Sequence, residues 1–154
     1  MEERLVKVGI THGDINGIGY EVILKTLSDT RIAELCTPVI YGSSKIAAYH
    51  RKVLELPAVN LSIIAQAEDA GANRVNIINC VDDETKVELC QSTTAAGEAA
   101  YLALEAAVTD LKRGAVDVLV TAPINKHNIQ NEQFHFPGHT EYLEQCSVVW
   151  EKRH

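Results

Sequence analysis

Short apolar runs alternate with longer amphipathic stretches along this chain, and that alternation constrains the architecture before any single residue is considered. Strands rich in valine and isoleucine bury both faces only when helices cover them, so the pattern predicts an α/β protein. Leu5 to Thr11 reads as a first strand, ended by a glycine-rich turn at Gly13, Gly17 and Gly19. Tyr20 to Leu27 reads as a helix with Val22, Ile23 and Leu27 as its apolar stripe. A second strand over Thr37 to Tyr41 leads to Ser43 and Ser44, which can cap a helix from about Lys45 to Leu54. Leu61 to Ile64 and Val75 to Cys80 read as shorter strands, with a polar turn between them at Glu68 to Gly71. Thr93 to Leu111 is alanine-rich and strongly helical, with too little side-chain bulk to hold a neighbour at a distance. Gly114 ends it, and Val116 to Thr121 reads as the clearest buried strand.

With 154 residues, 46% of them hydrophobic, the chain can bury a core in one domain. The formal charge of -7 sets its average field against nucleic acid and anionic membranes, although a local basic pocket can still hold one small anion. No apolar run approaches the roughly 20 residues that span a bilayer. The acidic start, Met1 to Arg4, is unlike a secretory signal. Cys36, Cys80, Cys90 and Cys146 form no CxxC pair and are expected as buried free thiols in a reducing compartment. The expectation is a soluble, cytoplasmic protein whose partner is a small molecule.

Three motifs carry candidate chemistry. The first, Thr11 to Glu21, joins a strand to a helix through Gly13, Gly17 and Gly19. Its spacing is not GxGxxG and no Walker lysine follows, so it reads either as a tight structural turn or as a ligand-touching loop. The second, Thr121 to Lys126, directly follows the last strand, where ligands of open α/β sheets sit. Thr121, Asn125 and Lys126 there suit a phosphorylated or carboxylated substrate; alternatively Asn125 caps the next helix and Lys126 is solvated. The third, Phe136 to Leu143, uses Pro137 and Gly138 to turn His139 and Thr140 onto the start of a helix. An imidazole, a hydroxyl and free helix amides together form a phosphate cradle. Against it stands a bland reading, an exposed His139 and a Glu141 that only favours the helix dipole. His127 and His135 lie near both motifs, but Pro137 and Gly138 keep His135 and His139 off one helical face, so no complete metal site is expected within the chain. His50 and His154 read as surface residues.

Together and in this order, the three motifs resemble those of the 4-hydroxythreonine-4-phosphate dehydrogenase family. That family's first turn has the form TPGDPAGIGPE; here prolines are replaced at His12, Ile15 and Tyr20, while Asp14, Gly17, Gly19 and Glu21 remain. The family segments TAPINK and FPGHTEYL are matched in full by Thr121 to Lys126 and Phe136 to Leu143. The resemblance covers residues 5 to about 145. It implies a three-layer α/β/α sheet like that of isocitrate and isopropylmalate dehydrogenases, truncated here, with 1–145 as the family part and 146–154 as a divergent tail that need not be part of the fold.

The resemblance also implies a reaction. Family enzymes oxidise 4-phosphooxy-threonine with NAD or NADP, and the keto acid formed then loses CO2. A divalent metal (zinc, magnesium or cobalt) acts as Lewis acid, held by histidines later in the chain and from both subunits of a homodimer. By position, His139, Thr140, Lys126 and Asn125 are the substrate-binding candidates; Asp14, Gly17 and Gly19 are the cofactor-binding candidates. A related dehydrogenase of four-carbon phosphorylated sugar acids, or a non-catalytic module that binds phosphorylated metabolites, carries the same motifs.

Overall fold

The computed structural model describes residues 4–130, 135, 138 and 140–146. Five strands form one parallel sheet: β1 (Lys7–Thr11), β2 (Thr37–Gly42), β3 (Leu61–Ile64), β4 (Val75–Asn79) and β5 (Val118–Thr121). Their order across the sheet is β3-β4-β2-β1-β5. Helices α1 (Gly19–Leu27), α2 (Ile32–Leu35), α3 (Ser44–Val53) and α4 (Thr94–Lys112) join them, and a further helix runs over 140–146. Every sequence-expected strand and helix is present within about two residues of its expected ends. Among the described residues, the one-turn α2 and the 3-10 turn Ala67–Asp69 were not expected as helices, being too short to show a period.

The three layers follow from side-chain alternation along the strands. Ile10, Ile40, Val75 and Ile77 point to one face and pack under Ile23 and Leu27 of α1. Val39 and Tyr41 point to the other and meet Ala103 and Ala107 of α4. Tyr20 and Leu24 of α1 join Ile46 and Ala47 of α3, so these two helices lie side by side. Ser43 caps α3 by accepting from the Ile46 amide at 3.2 Å, as its position suggests. Below α4, Tyr41 donates to Asp110 at 2.6 Å, and Arg113 joins that carboxylate at 2.8 Å while also pairing with Glu68.

Four expectations need correction. β5 is not deeply buried: it is an edge strand, and Val118 and Val120 are exposed. A continuous valine run looks the same whether its cover lies within the chain or outside it, so periodicity could not separate the cases. Val22 is exposed as well, and the buried side of α1 is Tyr20, Ile23, Leu24 and Leu27. His50 is not a surface residue but lies buried between α1 and the first turn, because its position on α3 faces inward. The cysteines are free, yet Cys90 is exposed and Cys36, Cys80 and Cys146 are only half-buried. The expected tail beyond Cys146 lies outside the described residues.

Small residues on α4 also set where the segment after β5 lies. A Cβ at Gly97 would fall 1.8 Å from the Asn128 carbonyl oxygen, so helix and loop touch backbone to backbone. Gly97→Ala must push them apart. It is expected to cost about 1–3 kcal/mol, more than the helix propensity of alanine returns, and urea unfolding of the variant beside the unaltered chain checks it.

Candidate functional site

Parallel strands leave all their carboxyl ends on one side of the sheet, and there the loops after β1, β2 and β5 meet. Gly13 has φ +66°, and a Cβ there would lie 2.3 Å from the Pro123 carbonyl oxygen. Glycine is therefore needed twice over, for the backbone conformation and for the close approach of the second motif. The Asp14 amide donates to that Pro123 oxygen at 2.8 Å. The Asp14 carboxylate turns back to accept from the Asn16 amide at 3.0 Å, and the Gly17 amide closes the turn on the Asp14 carbonyl. A Cβ at Gly19 would lie 2.2 Å from the His12 carbonyl, so this glycine also serves chain packing. Ile18 precedes α1 without a side-chain cap, which leaves its first amides available to an anion.

Behind this turn lies a buried polar network that the sequence reading passed over. His12 donates from Nε2 to the Ala99 carbonyl of α4 at 2.9 Å, since a carbonyl can only accept. Its Nδ1 then accepts from the Tyr20 hydroxyl at 2.8 Å, and that oxygen accepts from the Ser43 amide at 2.8 Å. A Cβ at Gly42 would lie 2.2 Å from the same hydroxyl, so the end of β2 must be glycine to admit it. The His50 Nε2 donates to the Ile15 carbonyl at 2.7 Å, with its ring stacked on Tyr20 at 5.5 Å. Burial pushes His12 down to about 4 and His50 below its ordinary value, and it pushes the Tyr20 hydroxyl up. Both imidazoles are therefore neutral at pH 7. Asn16, also buried, clamps the following segment: its amide donates to Gln91 and Thr93, and its oxygen accepts from Glu88 at 2.8 Å. The available signal was that His12 and Tyr20 both stand where the family motif has proline.

In the second motif, the Asn125 side-chain oxygen accepts from the amides of His127 at 2.9 Å and Asn128 at 3.2 Å, capping the turn. Lys126 and His127 are exposed, whereas Ile129 is buried against Ala100, Leu104 and Val108 of α4. The third motif approaches the second, since a Cβ at Gly138 would sit 3.6 Å from the Lys126 Cε. Thr140 is exposed at the start of the helix over 140–146, where the Tyr142 amide reaches the Gly138 carbonyl at 3.5 Å. His139 lies outside the described residues. Asp14, Gly17 and Gly19 thus share one end of the sheet with Asn125, Lys126 and Thr140. Among the described residues, no group of three His, Cys, Asp or Glu could hold a metal ion.

Comparison with known proteins identifies the family and the fold. The family described as pyridoxal phosphate biosynthetic protein PdxA matches residues 34–152. A 4-hydroxythreonine-4-phosphate dehydrogenase from Bacteroides thetaiotaomicron is 59% identical over 145 residues, covering 94% of this chain and 40% of that protein. A protein named putative D-threonate 4-phosphate dehydrogenase, from Clostridium botulinum, is 31% identical, covering 88% of this chain and 41% of its own length. The crystal structure of a 4-hydroxythreonine-4-phosphate dehydrogenase from Burkholderia phymatum superposes with a TM-score of 0.82 at 28% identity. That match covers 95% of this chain and 44% of the solved one. The fold is the isocitrate dehydrogenase-like one shared by these dehydrogenases. The chain spans about two fifths of the length of its relatives.

The buried imidazoles give the fold a definite acid response. His12 binds a proton near pH 6.5 when unfolded but only near 4 when folded, so unfolding takes up a proton between those values. Its stabilising contribution is complete above about pH 6.5 and is lost as pH falls toward 4, at most about 3 kcal/mol. His50 acts in the same sense. Urea unfolding at several pH values should show stability falling through this window, and His12→Gln should be less stable at pH 7 with a shallower slope.

Proposed function

Because this chain belongs to the pyridoxal phosphate biosynthetic protein PdxA family, we propose that it is the substrate-phosphate-binding part of a 4-hydroxythreonine-4-phosphate dehydrogenase. The observation that carries this reading is 59% identity over 145 residues to such an enzyme. The 31% identity to the protein named for D-threonate 4-phosphate favours the amino-acid substrate over the sugar acid. The whole reaction is oxidation of 4-phosphooxy-L-threonine by NAD or NADP, then decarboxylation to 3-amino-2-oxopropyl phosphate.

In that reaction the chain's own residues bind and orient. The Lys126 ammonium, the Thr140 hydroxyl and the His139 imidazole donate to the phosphate, and charge-assisted bonds of this kind are the strong ones. The Asn125 oxygen is taken up by its turn, which leaves its NH2 group to donate. Among the cofactor candidates, the space at Gly19 is filled by the His12 carbonyl, so the partly exposed Asp14 and Gly17 are the positions left to meet a nicotinamide nucleotide. A divalent metal does not fit the described residues, which hold no cluster able to ligate it. No step is therefore assigned to one here, and its ligands belong to the portion of the family polypeptide that this chain does not span. A homodimer, as the resemblance implies, completes the enzyme.

The test joins the chain in frame to the remaining portion of the Bacteroides thetaiotaomicron relative. With 4-phosphooxy-threonine, NAD and a divalent metal, the joined protein should form NADH, and the chain alone should form none. Thr140→Ala and Lys126→Ala should each raise KM about 10- to 150-fold, the worth of one hydrogen bond to a charged group. An unchanged KM in both variants, or turnover confined to phosphorylated threonate, would overturn the reading.

A further inference from the structure

Asn16 is buried beneath the first turn, and all of its hydrogen-bonding groups are engaged. Its backbone amide holds the Asp14 carboxylate at 3.0 Å. Every other polar group on it reaches a segment far along the chain. Its side-chain oxygen accepts from the Glu88 amide at 2.8 Å, and its carbonyl oxygen accepts from the Cys90 amide at 3.0 Å. Its NH2 group donates to the Gln91 carbonyl at 3.0 Å and to the Thr93 hydroxyl at 3.2 Å. That hydroxyl also caps α4, accepting from the Ala96 amide at 3.1 Å. Residues 88–92 form neither strand nor helix and are all exposed, so packing does little to hold them. Among the described residues, every hydrogen bond that 88–92 make with the rest of the chain ends on Asn16. Cys90 takes φ +66°, a left-handed conformation costly for a non-glycine residue, and its amide is one of those bound. An asparagine at a core position adds little apolar burial. What it adds is a fixed place for this segment beside Asp14 and Gly17.

We propose that Asn16 is a positioning residue for the nicotinamide nucleotide, fixing the Asp14 carboxylate with its backbone and segment 88–93 with its side chain. The carboxylate is a group that accepts from ribose hydroxyls, and the segment stands beside it as a second wall. Ordering both before the nucleotide arrives removes the cost of ordering them on binding. Loss of the clamp therefore weakens nucleotide binding and leaves the chemical step and the grip on the substrate phosphate unchanged. The inference rests on the reading above that Asp14 and Gly17 meet the nucleotide.

The test places Asn16→Ala in the in-frame fusion described above. The family motif TPGDPAGIGPE has alanine at this position, so the turn accommodates it. By calorimetry the NAD Kd should rise about 10-fold, with kcat and the KM for 4-phosphooxy-threonine unchanged. The amides of Glu88 and Cys90 should exchange about 100-fold faster in the variant, a readout that needs no turnover. Ile77→Val thins the core away from the clamp, so it should lower Tm and leave the NAD Kd as it was. If Asn16→Ala does not fold, Thr93 decides: Thr93→Val should weaken NAD binding and Thr93→Ser, which keeps the hydroxyl, should not. An NAD Kd equal to that of the unaltered fusion overturns the inference, as does unchanged exchange at Glu88 and Cys90. A rise confined to the KM for the phosphorylated substrate also overturns it, while leaving the proposed function standing. A fusion that binds no NAD sinks both. One that binds NAD through the clamp but does not turn over 4-phosphooxy-threonine sinks the proposed function alone.

Discussion

The hydrogen bond between His12 and Tyr20 is the interaction on which the end of the sheet that carries the candidate site depends. It joins the turn after β1 to the first turn of α1, and through Ser43 and Ala99 it reaches the start of α3 and the middle of α4. Within this network every buried donor has an acceptor and every buried acceptor a donor, the condition under which a buried polar group stabilises a fold. His50 adds a second tie from α3 to Ile15. The glycine turn is thereby held from three sides by groups that carry no charge at neutral pH. Where the family motif uses proline to stiffen this turn, the present chain uses a network.

Much of this was legible in the sequence and some was not, for different physical reasons. Strand and helix positions follow from periodicity, and the cap at Ser43 follows from its place before an amphipathic run. The placing of the three motifs at one end of the sheet follows from parallel topology, which makes β1 and β5 neighbours although they are far apart in sequence. What periodicity cannot carry is exposure that depends on pairing partners. Val118 and Val120 have the composition of a core strand and the position of an edge. His50 failed in the opposite sense: a polar residue on a helix reads as solvated unless its acceptor, here a loop carbonyl, is already placed. Asn125 was read with two alternatives, and the capping geometry realises one without removing its free NH2 group.

The glycines illustrate how the members of one motif can do different work. Gly13 and Gly19 make room for the chain's own carbonyls, and Gly42 makes room for a tyrosine hydroxyl. A Cβ at Gly17 would meet Asp14 alone, its carboxylate at 3.3 Å and its carbonyl oxygen at 3.5 Å, so this glycine, unlike Gly13 and Gly19, is not needed for a close backbone approach. A glycine-rich loop between a strand and a helix is therefore weak evidence of nucleotide contact by itself. Its meaning here comes from what packs against it.

The alanine face of α4 has a consequence for how this chain can vary. Ala96, Ala99, Ala100, Ala103 and Ala107 are buried with Gly97 along one side, and the loop bearing Asn125 and Lys126 leans on the same helix. An alanine codon is one base change from valine, and every such change would thicken a layer that has no slack. Drift along this helix is thus coupled to the loop that carries Asn125 and Lys126, so the segment should change slowly on packing grounds alone.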